Sequence, residues 1–274
     1  MNQEESNDNK KNMPYIMAQD EPDIENRAEE YPQVNPNENN MKDSNQQLED
    51  ENFEYTIRKG FILKTYGILM TQLVIFTIFV CLSFSQTIKD KFSLSDNKNP
   101  WITAYIIFFT ILTIAVCIIF TCFQNIARRV PINYILLFTF TLSMSFYCTL
   151  ICANFKPSIV LTALFLTMGA TAGLTLYAYK SKTAFYVCGA LLFASAVVLI
   201  LSVPLFFIFK LHALYYVFGV LLYSVYLVYD TQLILGKFGV EYNIDDYCLA
   251  ALNLFVDIVY LFIRILYLLS PKNN

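Results

Sequence analysis

Histidine is almost missing from this chain: His212 is the only one in 274 residues. A Ser-His-Asp triad uses imidazole as its base, and a multi-histidine metal site needs several as ligands. One His, close to Lys210 in a short polar break, builds neither the metal site nor an evident triad and reads as an interfacial residue. Charge is scarce too, at 15%, against about 25% in soluble domains. No two cysteines form a CxxC pair, and the seven (Cys81, Cys117, Cys122, Cys148, Cys152, Cys188, Cys248) are odd in number. All lie in or beside apolar runs, which predicts small buried apolar residues rather than a disulfide framework or a zinc site. No N-x-S/T sequon occurs. The N-terminal stretch lacks the basic start and apolar core of a cleaved signal peptide, so insertion into a membrane falls to the first helix itself.

What is present is apolar: 56% hydrophobic and 16% aromatic residues, with a mean hydropathy of +0.47. The charge is split along the chain. Residues 1–50 carry 13 acidic and 4 basic side chains, and residues 51–274 carry 9 and 15. The first 50 residues also hold ten Asn and almost no aliphatic periodicity. Such a segment buries too little apolar surface to offset its chain entropy, so the expectation is a disordered acidic tail over 1–50 and a membrane domain over 51–274.

A membrane span needs about 20 apolar residues to cross roughly 30 Å of hydrocarbon. Seven runs meet that length: 62–84, 101–123, 132–153, 158–179, 184–208, 213–234 and 247–268. Backbone polar groups in hydrocarbon must be paired within the chain, and the runs lack the period-two alternation of a barrel, so the fold class is an all-α membrane protein of seven helices. Pro100, Pro131 and Pro157 stand at span starts, where a missing N–H costs nothing. Pro204 falls inside the fifth run and predicts a kink. Gly169 and Gly173, four apart, predict either close packing against another helix of the chain or a dimer seam.

Lys and Arg near span ends set orientation. Arg58, Lys59, Lys64, Arg128, Arg129, Lys180, Lys182 and Lys237 fall on the side of the N-terminus. Lys89, Lys91, Lys98, Lys156, Lys210, Arg264 and Lys272 fall on the other. The Arg-Lys and Arg-Arg pairs adjoin their spans on the first side, which places the N-terminus in the cytosol.

Acidic residues are the most informative. None occurs in the 133 residues between Asp96 and Asp230. Asp230 then falls near the end of the sixth run and Asp257 near the middle of the seventh. A carboxylate in hydrocarbon is costly and marks function by default. Counted at 1.5 Å per residue, the two lie roughly 6 and 15 Å from the same face, a difference that a modest tilt removes. Two carboxylates in contact away from water are not both ionised cheaply, so the pair is expected to share a proton. Loss of that proton, or arrival of a cation, would break the pair, which is the physics of a pH-sensitive gate or a transient metal site. Arg264 is seven residues after Asp257 on the same helix face, and Arg128 and Arg129 end the second run. Each is a candidate latch for a carboxylate or an interfacial snorkelling residue. Glu241, Asp245 and Asp246, in the loop between the Asp helices, read as a cation-attracting mouth or as solvated loop charges with one capping the seventh helix.

The run Tyr229-Asp230-Thr231-Gln232, the loop to Asp245-Asp246-Tyr247, and Ala251-Leu252-Asn253-Leu254-Phe255-Val256-Asp257-Ile258 resemble the signature of the transmembrane Bax inhibitor motif family. The stretch from Ile57-Arg58-Lys59-Gly60-Phe61 to Lys64-Thr65-Tyr66-Gly67-Ile68-Leu69 is similar to its lifeguard branch, as are Arg129-Val130-Pro131-Ile132-Asn133 and Leu176-Tyr177-Ala178-Tyr179-Lys180-Ser181-Lys182. The resemblance covers about residues 53–270; the Asn-rich acidic tail departs from the Pro-, Gly- and Tyr-rich tails of lifeguards. It implies a seventh helix that is central and wrapped by the other six. It also implies a calcium leak from endoplasmic reticulum or Golgi stores, gated by an aspartate pair matching Asp230 and Asp257, and restraint of cell death. The family's latch arginine matches Arg128 or Arg129. The expected partners are the bilayer, calcium as permeant ion, and membrane or cell-death regulatory proteins. Neither a cofactor nor nucleic acid is expected.

Three other classes compete. An intramembrane aspartyl protease also needs two Asp on consecutive helices, but its Gly-x-Gly-Asp and Pro-Ala-Leu motifs are missing here: Leu254-Phe255-Val256 precedes Asp257. A seven-helix receptor needs more ligand-facing surface than these short loops offer. A non-conducting scaffold that regulates apoptosis through partners needs no site within the membrane.

Overall fold

The computed structural model describes residues 36–92, 100–181, 195, 212–238 and 242–270. Among them all regular structure is helical: α1 (Pro36–Leu82), α2 (Gln86–Phe92), α3 (Pro100–Cys122), α4 (Gln124–Ala127), α5 (Ile132–Ala153), α6 (Pro157–Lys180), α7 (His212–Ile234) and α8 (Tyr247–Leu269), with a 3-10 turn at Ile244–Asp246. Six of them, α1, α3, α5, α6, α7 and α8, are long and apolar enough to cross a membrane. Their ends fall within a residue or two of the expected runs, apart from the start of α1. The fifth run, 184–208, with Pro204 and Cys188, lies outside the described residues.

The chain divides into two units, Met1–Asp50 and Glu51–Asn274. In the first, the expectation of disorder through residue 50 is corrected where the structure describes it. Helix α1 begins at Pro36, so residues 36–50 are helical. Their composition offers no apolar face, but once a helix is nucleated each added residue gains a hydrogen bond without repeating the nucleation cost. Glu, Leu, Arg and Lys in Leu48–Phe61 are good helix formers, and they let the helix run on from the apolar stretch. Residues 1–35 lie outside the described residues.

In the second unit the described prolines stand where they cost least. Pro100 opens α3, Pro157 is the first residue of α6, and Pro131, after a cis Val130–Pro131 bond, caps α5. The core centres on α8. Apolar residues surround this helix on nearly every side, so it belongs inside other protein rather than against lipid. Phe255, Phe262, Leu254, Leu261 and Leu266 are fully buried, and fifteen of its residues are buried in all. It packs against α5, α6 and α7. From α1, Phe76 meets Phe255 and Phe262 edge-on at 6.0 and 5.6 Å, and Phe140 of α5 meets Phe255 at 6.3 Å. By contrast α3, among its described side chains, buries only Val116 and Phe120 and turns Ile107, Phe108, Ile111 and Ile114 outward.

Lipid supplies little hydrophobic drive between helices, so polar contacts and close packing matter, at about 0.6–2 kcal/mol for an interhelical hydrogen bond. Two such bonds join α1 to α5: Gln72 Nε2 donates to Thr141 Oγ1 at 2.9 Å, and Thr149 Oγ1 donates to the Phe79 carbonyl at 2.9 Å. Gly169 and Gly173 do not act as a close-packing seam within the described chain. Both are exposed, and a Cβ at either would meet nothing within 4 Å among the described residues. Close approach is found instead at Gly219 of α7, where a Cβ would sit 2.9 Å from Arg264 Cδ.

The cysteines divide. The six described are free thiols; Cys148, Cys152 and Cys248 are buried as expected, whereas Cys81 and Cys122 are exposed. The last two sit near the ends of α1 and α3.

Candidate functional site

Asp230 stands four residues before the end of α7, and Asp257 ten after the start of α8. The structure brings their carboxyl groups into hydrogen-bonding contact. Asp257 is 5% exposed, and its Oδ2 has no hydrogen-bond partner. Asp230 is half-buried. The two helices that carry them pack side by side.

That connection is built by local rules. Gly236, at φ 74°, sits in the left-handed region that glycine adopts without a Cβ penalty and ends α7. Its N–H bonds the Leu233 carbonyl, and the Lys237 N–H bonds that of Gln232, a Schellman turn. The turn directs the Lys237 ammonium to the C-terminus of α6, where it donates to the carbonyls of Ala178, Tyr179 and Ser181 at 2.7, 2.8 and 2.5 Å. A cation there satisfies orphan carbonyls and opposes the negative end of the helix dipole.

At the head of α8, Asp246 is the N3 residue of a capping box. Its carboxylate accepts from the Asn243 backbone N–H at 3.1 Å. The same carboxylate is gripped by Arg128, Nε to Oδ1 at 2.7 Å and Nη2 to Oδ2 at 2.8 Å. This hydrogen-bonded carboxylate holds the Arg128 guanidinium above its ordinary value. The next residue, Tyr247, accepts from Asn133 Nδ2 of α5 at 2.9 Å and lies 3.3 Å beneath the Lys64 ammonium of α1. Three separate elements thus fix the start of the central helix.

The candidate latches resolve differently from expectation. Arg128 binds a carboxylate, but that of Asp246 rather than of the pair. Arg129 is exposed. Arg264 lies along the α7–α8 seam over Gly219, with its guanidinium carbon 4.6 Å from the Tyr215 ring centroid and a hydrogen bond to Tyr223. Seven residues carry it two turns past Asp257, and the tyrosines of α7 take it up there. Of the expected mouth, Asp245 is exposed, Asp246 is engaged by Arg128, and Glu241 lies outside the described residues. No group of three or more metal-ligating His, Cys, Asp or Glu side chains occurs among the described residues.

Two neighbours of the pair escape a search for acidic residues. Asn253, one turn before Asp257, donates from Nδ2 to Tyr242 Oη at 3.0 Å. The Tyr242 ring stacks on Phe61 of α1 at 6.1 Å. Burial pushes the Tyr242 phenol above its ordinary range, and Asp230 adds to the effect, so it stays protonated. The i, i+4 spacing of Asn253 and Asp257 was the available signal: a polar side chain directly below a buried carboxylate on one helix face.

A helical bundle with six described membrane-crossing helices and a carboxyl pair against its most buried helix defines a multi-pass membrane protein. Residues 58–274 match the family described as inhibitor of apoptosis-promoting Bax1. The chain belongs to that family. It is 30% identical to human protein lifeguard 3 over 224 residues, which cover 79% of this chain and 70% of that one. It is 32% identical to the BI1-like protein of Arabidopsis thaliana over 228 residues, 81% and 84% of the two chains. With Bax inhibitor 1 of Schizosaccharomyces pombe it shares 30% over 224 residues, 80% and 79%. These relatives are named as lifeguards and Bax inhibitors, not as enzymes.

Proposed function

We propose that this protein is a pH-sensitive calcium leak channel of internal membranes, of the endoplasmic reticulum or Golgi, with its N-terminus in the cytosol. Its gate is the Asp230–Asp257 pair, and through calcium homeostasis it restrains cell death, as the names of its relatives suggest for them. The observation that carries the reading is the contact between two carboxyl groups on consecutive membrane helices, one of them buried in the central helix. With one proton between them the pair is a hydrogen bond that ties α7 to α8. Without it, two negative charges in a poorly screened site repel, and α7 and α8 separate. Calcium, a hard cation that prefers carboxylate oxygens, favours the ionised pair. Leak therefore rises with pH.

The test is calcium flux into liposomes that hold the pure protein, across pH. Flux that rises as pH rises supports the channel. Absence of flux at every pH overturns it and leaves the non-conducting scaffold, which works through cell-death regulatory partners.

A further inference from the structure

Tyr242, in the connecting segment, touches both the first helix and the helix that carries Asp257. Its ring is stacked on Phe61, itself 4% exposed. Its hydroxyl oxygen accepts from Asn253, one turn from Asp257, and the phenol is within electrostatic reach of Asp230, Asp257 and Asp246. Through Asn253 the ring is joined to the turn of α8 that leads from its start to Asp257. The segment that carries it is tied down immediately beyond. The N–H of Asn243, the next residue, bonds Asp246 Oδ2, and Asp246 is held in turn by the two-bonded grip of Arg128.

We propose that Tyr242 is a plug that closes the water-facing mouth of the Asp230–Asp257 site, and that the Arg128–Asp246 fork is the tether that keeps the plug seated. This rests on the reading of the pair as a gate and adds a second element to it. Opening at this end requires the 242–246 segment to lift. The fork must part, the Asn253 bond must break, and the Phe61 ring must be uncovered. Asp246 serves the mouth by holding it shut rather than by drawing cations to it. An uncharged ring suits that role, because it excludes hydrated ions without competing for the carboxylates.

The experiment measures water access to the pair and needs no calcium flux. Full-length protein in liposomes is treated at pH 6 with a water-soluble carbodiimide and an amine. Labelling of Asp230 and Asp257 is then read by peptide mass spectrometry, with a membrane-soluble carbodiimide as the control for intrinsic reactivity. Tyr242→Ala should raise labelling by the water-soluble reagent about tenfold, as should loss of the charge-assisted fork in Asp246→Asn or Arg128→Gln. Tyr242→Phe, which keeps the ring, should stay within about threefold of the parent, since it loses one neutral hydrogen bond. Parental labelling of Tyr242→Ala overturns the plug. If that variant does not fold, parental labelling of both Asp246→Asn and Arg128→Gln overturns it. Increased labelling in a protein that passes no calcium leaves the plug standing and removes the channel. Unchanged labelling in a protein whose leak follows pH does the reverse.

Discussion

Arg128 and Asp246, 118 positions apart, meet through two parallel hydrogen bonds of 2.7 and 2.8 Å. Planar guanidinium and planar carboxylate match in that geometry, and the partly buried setting spares the pair full screening: the side chains are 31% and 11% exposed. Arg128→Gln and Asp246→Asn should each destabilise the detergent-solubilised protein by about 1–2 kcal/mol, and the double variant by little more than either alone. Arg129→Gln should leave the melting temperature unchanged. Thermal melts of the four variants check this, and additive losses for Arg128 and Asp246 would contradict the pairing.

Asp230→Asn and Asp257→Asn should each flatten the pH dependence of calcium leak, because a single remaining carboxylate has no charged twin to repel it. The parent should show a protonated carboxyl band in infrared difference spectra at pH 6. The band should fade on alkalinisation or calcium addition and vanish in the double variant. An unaltered pH profile in both single variants would sink the gate.

Gly219→Ala should lower stability by about 1–2 kcal/mol, since the new methyl meets the Arg264 stem at 2.9 Å and overpacking of that kind forces side chains off their rotamers. Gly169→Ala and Gly173→Ala should be neutral or stabilising by up to about 1 kcal/mol, the ordinary helix gain from Ala. Melts of the three variants decide between them. A destabilised Gly169→Ala would reveal close packing on that face of α6.

Lys237→Met should free three carbonyls at the end of α6 at once. Amide exchange at the end of that helix should speed by about tenfold, the effect of losing roughly 1.4 kcal/mol of local stability. The middle of α6 should exchange as before. Equal protection at residues 178–181 in both proteins would show that the ammonium is not what holds the helix end.

Much of the membrane domain was legible in the sequence because the constraint is one-dimensional. A run of about 20 apolar residues between polar breaks has one stable form in lipid, a helix. Prolines at 100, 131 and 157 mark where such helices begin. The start of α1 was not legible. Periodicity and apolar content report burial, whereas α1 extends by helix propagation through residues 45–50, all of them exposed. The two surface cysteines were misread for a related reason: an apolar residue in a membrane protein is as content against lipid as in the core.

The sequence by itself determined that Asp230 and Asp257 are exceptional, because their cost is set by the apolar runs around them and needs no coordinates. It also placed them at compatible depths. Only the tertiary structure decided which groups they and the arginines meet. Arg128 and Arg129 are equal in sequence terms, and the turn between α4 and α5 points one at Asp246 and leaves the other in solvent. Arg264 shares a face with Asp257, yet the tyrosines of a different helix hold it. Residue spacing fixes neighbours along one helix, but partners across helices depend on how the helices are rotated and crossed, which side-chain packing around α8 sets.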